Sequence, residues 1–347
     1  MPPNASLQKL MEKAIRLSQT NETWEFSTFL ARGWITPRRE AAYRPYLSMT
    51  VSSSGKLILS EFQKQPPSPE TDTELLLRAM KRPALGAGRA RRPQIVCLDN
   101  ENHVSALTPI LAELNIRCQH RVSLPLLNKS RQFIETGLRK GGEAFPGLLT
   151  IPGVTPPMVE HLYQLAADYH RASPWAWLTD LNPLVISYPP QAKPRYGFVM
   201  GSAGASFGLA VYDTVEDVQL VFRREISNRE LVKLSSWIML LFESPISMSF
   251  DDLDAITQYG WPVVNEKAYP LLGRTIPANG LNLPNKADLF WMEGALSGIL
   301  NYLPRYQTQG RISDSKGLIV PVTTINGAAQ LRLQMPRLED LLRGGNS

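Results

Sequence analysis

The stretch RPQIVCLDNENH, Arg92–His103, sets a short apolar run, Ile95–Leu98, against Asp99 and a polar turn. A nearly unbroken apolar run of this length is the pattern of a central strand covered on both faces. A carboxylate at the tip of such a strand is where metal-dependent enzymes often keep a ligand, and also where many turns begin. The flanking sequence decides what surrounds it.

Upstream, YLSMTV (Tyr46–Val51) and KLILSEF (Lys56–Phe62) enclose the turn-forming SSSG, which predicts a hairpin. Breakers follow in QPPSPETDTELLLRAM (Gln65–Met80), then a Thr71–Glu74 capping box and a helix. Downstream, HVSALTPILAEL (His103–Leu114) predicts a helix that Pro109 kinks or shortens, and NIRCQHRV (Asn115–Val122) predicts a strand. The order hairpin, helix, strand, helix, strand describes an α/β domain with a mixed sheet over 36–140. Residues 1–35 read as an amphipathic helix, Ser6 to about Thr20, and an irregular link holding Trp24 and Trp34.

Residues 141–347 predict an α+β domain with antiparallel hairpins. Thr155 and Pro156 start a helix running to about His170. A strand near PLVISY and the hairpin YGFVMGSAGASFGLAVY (Tyr196–Tyr212) follow. Helices are expected from Asp213 or Thr214, from an Asn228 cap through Trp237, and from Asn285 to Leu303. A last hairpin, Gly317–Leu333, turns at Asn326-Gly327, a strong two-residue turn signal.

A chain of 347 residues with 43% apolar and 20% charged residues has room for two ordinary cores and is not disordered. The longest apolar run, WIMLLF (Trp237–Phe242), falls far short of the ~18 residues a spanning helix needs, so no membrane role is expected. The N-terminus has no signal-peptide pattern, and the two cysteines, Cys97 and Cys118, form no CxxC or Cys/His cluster. Together these predict a cytoplasmic protein without a disulfide framework or a zinc site.

Candidate chemistry divides into three places. The basic stretch Arg78–Pro93 carries Arg78, Lys81, Arg82, Arg89, Arg91 and Arg92 without one acid, and Arg117, Arg121, Lys129, Arg131, Arg139 and Lys140 follow it. Such a concentration can track a phosphate backbone, and a net charge of +6 is compatible with an anionic partner. The loop GSAGASFG (Gly201–Gly208) is glycine-rich but joins two strands, so it lacks the helix N-terminus of a phosphate loop. It reads as a hairpin tip from which Gly201, Gly204, Ser206 and Gly208 could touch a ligand. Asp251, Asp252 and Asp254 lack calcium-loop spacing and suit a helix start. His103, His120, His161 and His170 form no metal or nucleophile motif. The aromatics Trp175, Trp177, Tyr196, Phe198, Phe207 and Tyr212 fit a core better than a site.

The third place is Asp99 itself. Tyr46 to Glu135 resembles the ribonuclease H-like fold of DDE integrases and transposases. IVCLDN is similar to their strand ending in a second catalytic Asp, and Glu135 follows Asp99 with 35 residues between them, as in the integrase D-x35-E pair. The resemblance implies two-metal phosphoryl chemistry with Mg²⁺ held by Asp99, Glu135 and an acid on the first strand. Aligned on YLSMTV, that strand offers only Ser48, Thr50 and Ser52, which implies a degenerate site. A wider resemblance, through PPSPETDTELLLRAMKRPALGAGRARRPQIVCLDN and later GVTPPMVEHLYQLAADYHRASPWAWL, YGFVMGSAGASFGLAVYDT and DDLDAITQYGWPVVNEKAYPLLGR, is to an uncharacterised bacterial two-domain family. It covers about Tyr43–Leu303 and brings no activity with it.

The leading expectation is therefore a non-catalytic binding or accessory protein, without a cofactor, whose partner is a nucleic acid or another protein. A metal-dependent nuclease using Asp99 and Glu135 is the first alternative. A small-molecule or peptide sensor using the Gly201–Gly208 hairpin is the second. Asp99 itself is expected to start a turn and cap the helix that follows.

Overall fold

The protein is represented by a computed structural model that describes residues 5–138, 146–222, 227–311 and 317–343. The chain divides into two compact units, Met1–Glu143 and Ala144–Ser347. The boundary expected near Lys140 lies outside the described residues.

The first unit runs α1 (Ala5–Ala14), β1 (Thr23–Leu30), β2 (Tyr46–Ser52), β3 (Leu57–Gln63), α2 (Pro69–Lys81), β4 (Ile95–Leu98), α3 (Glu101–Glu113), β5 (Arg117–His120), α4 (Pro125–Leu138). Its five strands form one mixed sheet in the order β3-β2-β1-β4-β5. β1 is antiparallel to β2 and parallel to β4, which is parallel to β5. One face packs Trp24 and Phe26 against Leu76, Leu77 and Met80 of α2 and Leu107 and Leu111 of α3, with Leu7 and Ala14 of α1 in the same cluster. The other packs Leu47, Met49, Val51 and Cys97 against Leu124 and, on α4, Leu127. Each such fully buried large side chain contributes roughly 1.5–3 kcal/mol of transfer free energy.

Residues 1–35 are thus no appendage. The segment read as an irregular link, TWEFSTFL, is β1, the middle strand of the sheet. It escapes a simple pattern because Glu25 and Ser27 are 4% and 3% exposed, so both of its faces are covered although only one is apolar. Several caps also move by a few residues. Ser68, not Thr71, caps α2 by accepting from Thr71 N, and Asn100, not Asp99, caps α3 by accepting from Asn102 and His103 N. Pro109 leaves α3 continuous.

The second unit holds α5 (Pro156–Ala172), β6 (Leu184–Ser187), β7 (Arg195–Met200), β8 (Phe207–Tyr212), α6 (Val215–Val221), α7 (Asn228–Leu234), β9 (Trp237–Glu243) and α8 (Phe250–Tyr259). It ends with β10 (Tyr269–Ile276), β11 (Gly280–Asn282), α9 (Lys286–Gln309), β12 (Leu318–Thr324), β13 (Gly327–Gln334) and α10 (Leu338–Arg343). The eight strands form one antiparallel sheet, β11-β10-β9-β8-β7-β6-β13-β12. α5 and α9 bury one face with Tyr163, Tyr169, Met292, Leu296 and Ile299, and α6 brings Val218 onto Phe198, Ala210 and Tyr212 on the other. Trp237 opens β9 rather than closing a helix, because a short apolar run suits either element and its strand neighbours settle the choice. Ser227, one residue before the expected Asn228, caps α7. Thr214 and Asn285 cap α6 and α9 as read, each with a capping box, and β12 turns into β13 at Ile325-Asn326. Among the described residues no helix is long and apolar enough to cross a membrane.

Candidate functional site

The parallel pairing of β1 and β4 ends with Phe26 beside Leu98, which carries Ser27 alongside Asp99. The Ser27 hydroxyl lies 2.9 Å from each Asp99 carboxylate oxygen and donates its one proton to this pair. Asp99 is exposed while Ser27 is buried. The strand flanking β4 is therefore β1. Ser48, Thr50 and Ser52, aligned at first with the integrase strand, lie on β2, one strand farther from Asp99.

Glu135 is 7% exposed on α4 and tied elsewhere. Its Oε1 accepts from the Arg32 backbone N–H at 2.9 Å and from Arg131 Nε at 3.1 Å, and the Arg131 guanidinium lies 4.0 Å from the Phe29 ring centre. Ser27 and Leu30 are roughly 10 Å apart along β1, and Arg32 is two residues further on. Asp99 and Glu135 are thus held by different partners, Asp99 by Ser27 within β1 and Glu135 by Arg32 beyond the end of that strand and by Arg131 on its own helix. Glu25, on the same face as Ser27, accepts from Leu127 N at 2.8 Å and serves the first turn of α4. Among the described residues no three His, Cys, Asp or Glu side chains form a group able to hold a metal ion.

On the opposite face of β1 lies a polar network the sequence reading missed. Thr28 Oγ1 donates to Asp72 Oδ1 at 2.9 Å and lies 2.7 Å from Ser48 Oγ, which also accepts from Gln63. His103 Nδ1 stands 3.4 Å from Asp72 Oδ2, an oxygen that makes no hydrogen bond. Burial pushes the Asp72 carboxyl up, and the Thr28 bond and the His103 charge oppose it without prevailing. The available signal was an acid in the first turn of an amphipathic helix, which reads equally well as a cap.

The basic stretch separates into spent and available cations. Arg91, 9% exposed, bonds Glu22 and the carbonyls of Ala87 and Arg89, and its guanidinium lies over Trp24. Arg92 donates to the carbonyls of Leu17 and Leu114. Arg78 pairs with Glu61 at 3.0 Å. Lys81, Arg82 and Arg89 show no ion pair among the described residues. Lys13, in the last turn of α1, lies against this group, since its ammonium is the main cause lowering the Lys81 pKa, ahead of Arg82. Arg117, Arg121 and Lys129 are exposed, and Arg139 and Lys140 lie outside the described residues.

The glycine loop joins β7 to β8 above packed rings. A Cβ at Gly201 would meet Phe207 at 2.5 Å and Trp175 at 2.9 Å, and at Gly208, φ +156°, it would sit 2.0 Å from the Leu240 carbonyl oxygen. These two glycines permit close packing, while Gly204 and Ser206 are exposed at the tip. Below, the Trp175 and Phe207 centroids are 4.9 Å apart, and Tyr169, His170 and Phe242 close the cluster. Phe198 and Tyr212 pack edge to face in the α6 core, Tyr196 lies against the same cluster, and Trp177 is half exposed.

Asp252 was read as a helix cap. Ser249 makes that cap, and Asp252 reaches out to accept from Leu148 N at 2.8 Å. Burial, aided by the neighbouring Asp251, outweighs that bond and the Ser249 contact and pushes its carboxyl up to about 6.

Comparison with known proteins follows the same division. No curated protein matches the sequence. One solved structure, the cryoEM structure of simian T-cell lymphotropic virus intasome in complex with PP2A regulatory subunit B56 gamma, aligns over 57% of this chain and 78% of its own. The identity is 13% and the TM-score 0.22, so the likeness carries no structural argument. Residues 10–135 match the model of a domain of unknown function, DUF6930, and residues 160–318 match that of a second, DUF7309. Two successive segments of the chain, 10–135 and 160–318, are thus similar to two different domains of unknown function.

Proposed function

We propose that this chain is a non-catalytic binding or accessory protein whose first unit is a degenerate ribonuclease H-like domain. The strand order β3-β2-β1-β4-β5, with β1 antiparallel to β2 and parallel to β4, supports that fold reading. The observation that carries the functional reading is where the carboxylates are spent. Asp99 is held by a hydroxyl at the position where a nuclease would place a second acid, and Glu135 is consumed by a backbone N–H and an arginine. A serine supplies no charge to hold two ions.

The partner fitting the first unit is a nucleic-acid backbone, met by Lys13, Lys81, Arg82 and Arg89. Four phosphate contacts imply a salt slope of about −3 to −4 on duplex DNA. Fluorescence anisotropy with labelled duplex and single-stranded DNA between low and moderate salt measures it. The double variant Lys81→Glu/Arg82→Glu should weaken binding at least tenfold and flatten the slope by about two. No binding at low salt would remove the nucleic-acid half. Mg²⁺- or Mn²⁺-dependent cleavage that disappears in Asp99→Ala would overturn the non-catalytic reading.

A further inference from the structure

Trp291 on α9 forms the floor of an open cleft of about 360 Å³ in the second unit, at the low end of small-molecule sites. Tyr188 makes one wall. It lies so close to α9 that a Cβ on Gly294 would stand 2.6 Å from its ring, so the ring is held in place by a missing side chain. Asp213 and Thr214 make the opposite wall, and the loop Ala192–Pro194 makes the rim. Thr214 has its hydroxyl engaged in the α6 capping box, which leaves its methyl group for contact.

The charges in this cleft are unevenly used. Arg195 lies with its guanidinium 5.0 Å from the Trp291 ring centre. Its bonds are long: 3.2 Å from Nε to Asp213, and 3.4 Å from each terminal nitrogen to Asp288. Three of its five N–H groups are thereby directed, and two remain. Asp213 does not depend on them. Arg274 donates to both of its oxygens and Ser236 donates to one. Burial alone would raise the Asp213 carboxyl, and these bonds together with the Arg274 and Arg195 charges hold it below the usual range. Asp217 is turned away onto Thr214 and the Ser236 backbone. Lys193, exposed on the rim, has no ion pair among the described residues.

We infer that this cleft binds a small planar carboxylate, with the carboxylate on Lys193 and one of the remaining N–H groups of Arg195 and the flat ring against Tyr188. A cation finds no available acid there, because Asp213 is already satisfied. A di- or triphosphate finds too few donors. The site owes nothing to the first unit, so it stands or falls apart from the nucleic-acid reading.

Binding of 2-naphthoate, followed by tryptophan fluorescence and by calorimetry on the full chain, tests it, with the neutral 2-naphthamide as control. Saturable 2-naphthoate binding is expected, at least tenfold tighter than the amide and weakened by added salt. Lys193→Glu changes an exposed side chain and should lower affinity at least fivefold with the melting curve unchanged. Gly294→Ala displaces the Tyr188 wall and should lower it further. Absence of 2-naphthoate binding, equal binding of the amide, or full affinity in Lys193→Glu would overturn the inference.

Discussion

Each unit holds a wholly or partly buried acid, and the two are accommodated in opposite ways. Beside β1 of the first unit, Asp72 is met by the hydroxyl of Thr28. In the second unit Asp213 is met by Arg274 and Arg195. Desolvation disfavours the charged carboxylate in both places, and only a guanidinium supplies enough opposing charge to reverse it. Asp72 is accordingly pushed up and Asp213 pulled down. Asp252 shows that the partner, not the unit, decides the sign. It belongs to the second unit but faces a backbone N–H and a serine, and its carboxyl goes up to about 6.

Removing the arginine should break this contrast with the largest effect. Arg274→Ala leaves Asp213 buried without its bidentate partner and is expected to cost about 3–5 kcal/mol in urea unfolding. A loss below about 1 kcal/mol would mean that Arg195 alone suffices.

Asp252 offers the next largest change, in the opposite direction. Its carboxyl is pushed up to about 6 in the folded chain from an ordinary 3.8, so the fold favours the protonated form over the charged one. The resulting stabilisation is whole below pH 3.8 and disappears as pH rises through about 6. Asp252→Asn should restore as much as ~3 kcal/mol at pH 7.5 and remove that component of the stability slope between pH 4 and 7, seen in thermal melts against pH. An unchanged slope would contradict the burial argument.

Ser27→Ala deletes the donor to Asp99 but leaves an exposed carboxylate that water can reach. About 1 kcal/mol of destabilisation is expected by chemical denaturation. A cost above ~3 kcal/mol would show Asp99 to be far less hydrated than its exposure implies. The smallest effect belongs to Arg78→Ala, whose pairing with Glu61 joins side chains 49% and 39% exposed. It should shift stability by under ~0.5 kcal/mol.

Much of this architecture was legible in the sequence, and the failures share a cause. IVCL, the Tyr46–Phe62 hairpin and the final hairpin, whose turn falls at Ile325-Asn326 one residue before the expected Asn326-Gly327, announce themselves because their partners are close in sequence or their burial is one-signed. β1 did not, since Glu25 and Ser27 are buried by partners 102 and 72 residues away. With β1 unread, the hairpin strand β2 with Ser48 stands in for the neighbour of β4, whereas the strand that flanks β4 is β1 with Ser27. The arginines were misjudged for a related reason. Arg92 has no acid nearby because its acceptors are the carbonyls of Leu17 and Leu114, and backbone carbonyls leave no trace in composition.

The two carboxylates that fasten α4 to β1 have a consequence for how the first unit assembles. Glu25 receives Leu127 N, and Glu135 receives Arg32 N, so each bond spans more than a hundred residues and ties the opening strand to the closing helix. Neither of these two bonds can form until almost the whole unit has been synthesised and folded back. Contacts of such sequence separation slow the search for the native topology. A chain cut before Pro125 would leave Glu25 in the sheet without its donor, so the first unit is a single cooperative block and not a strand layer that later acquires a helix.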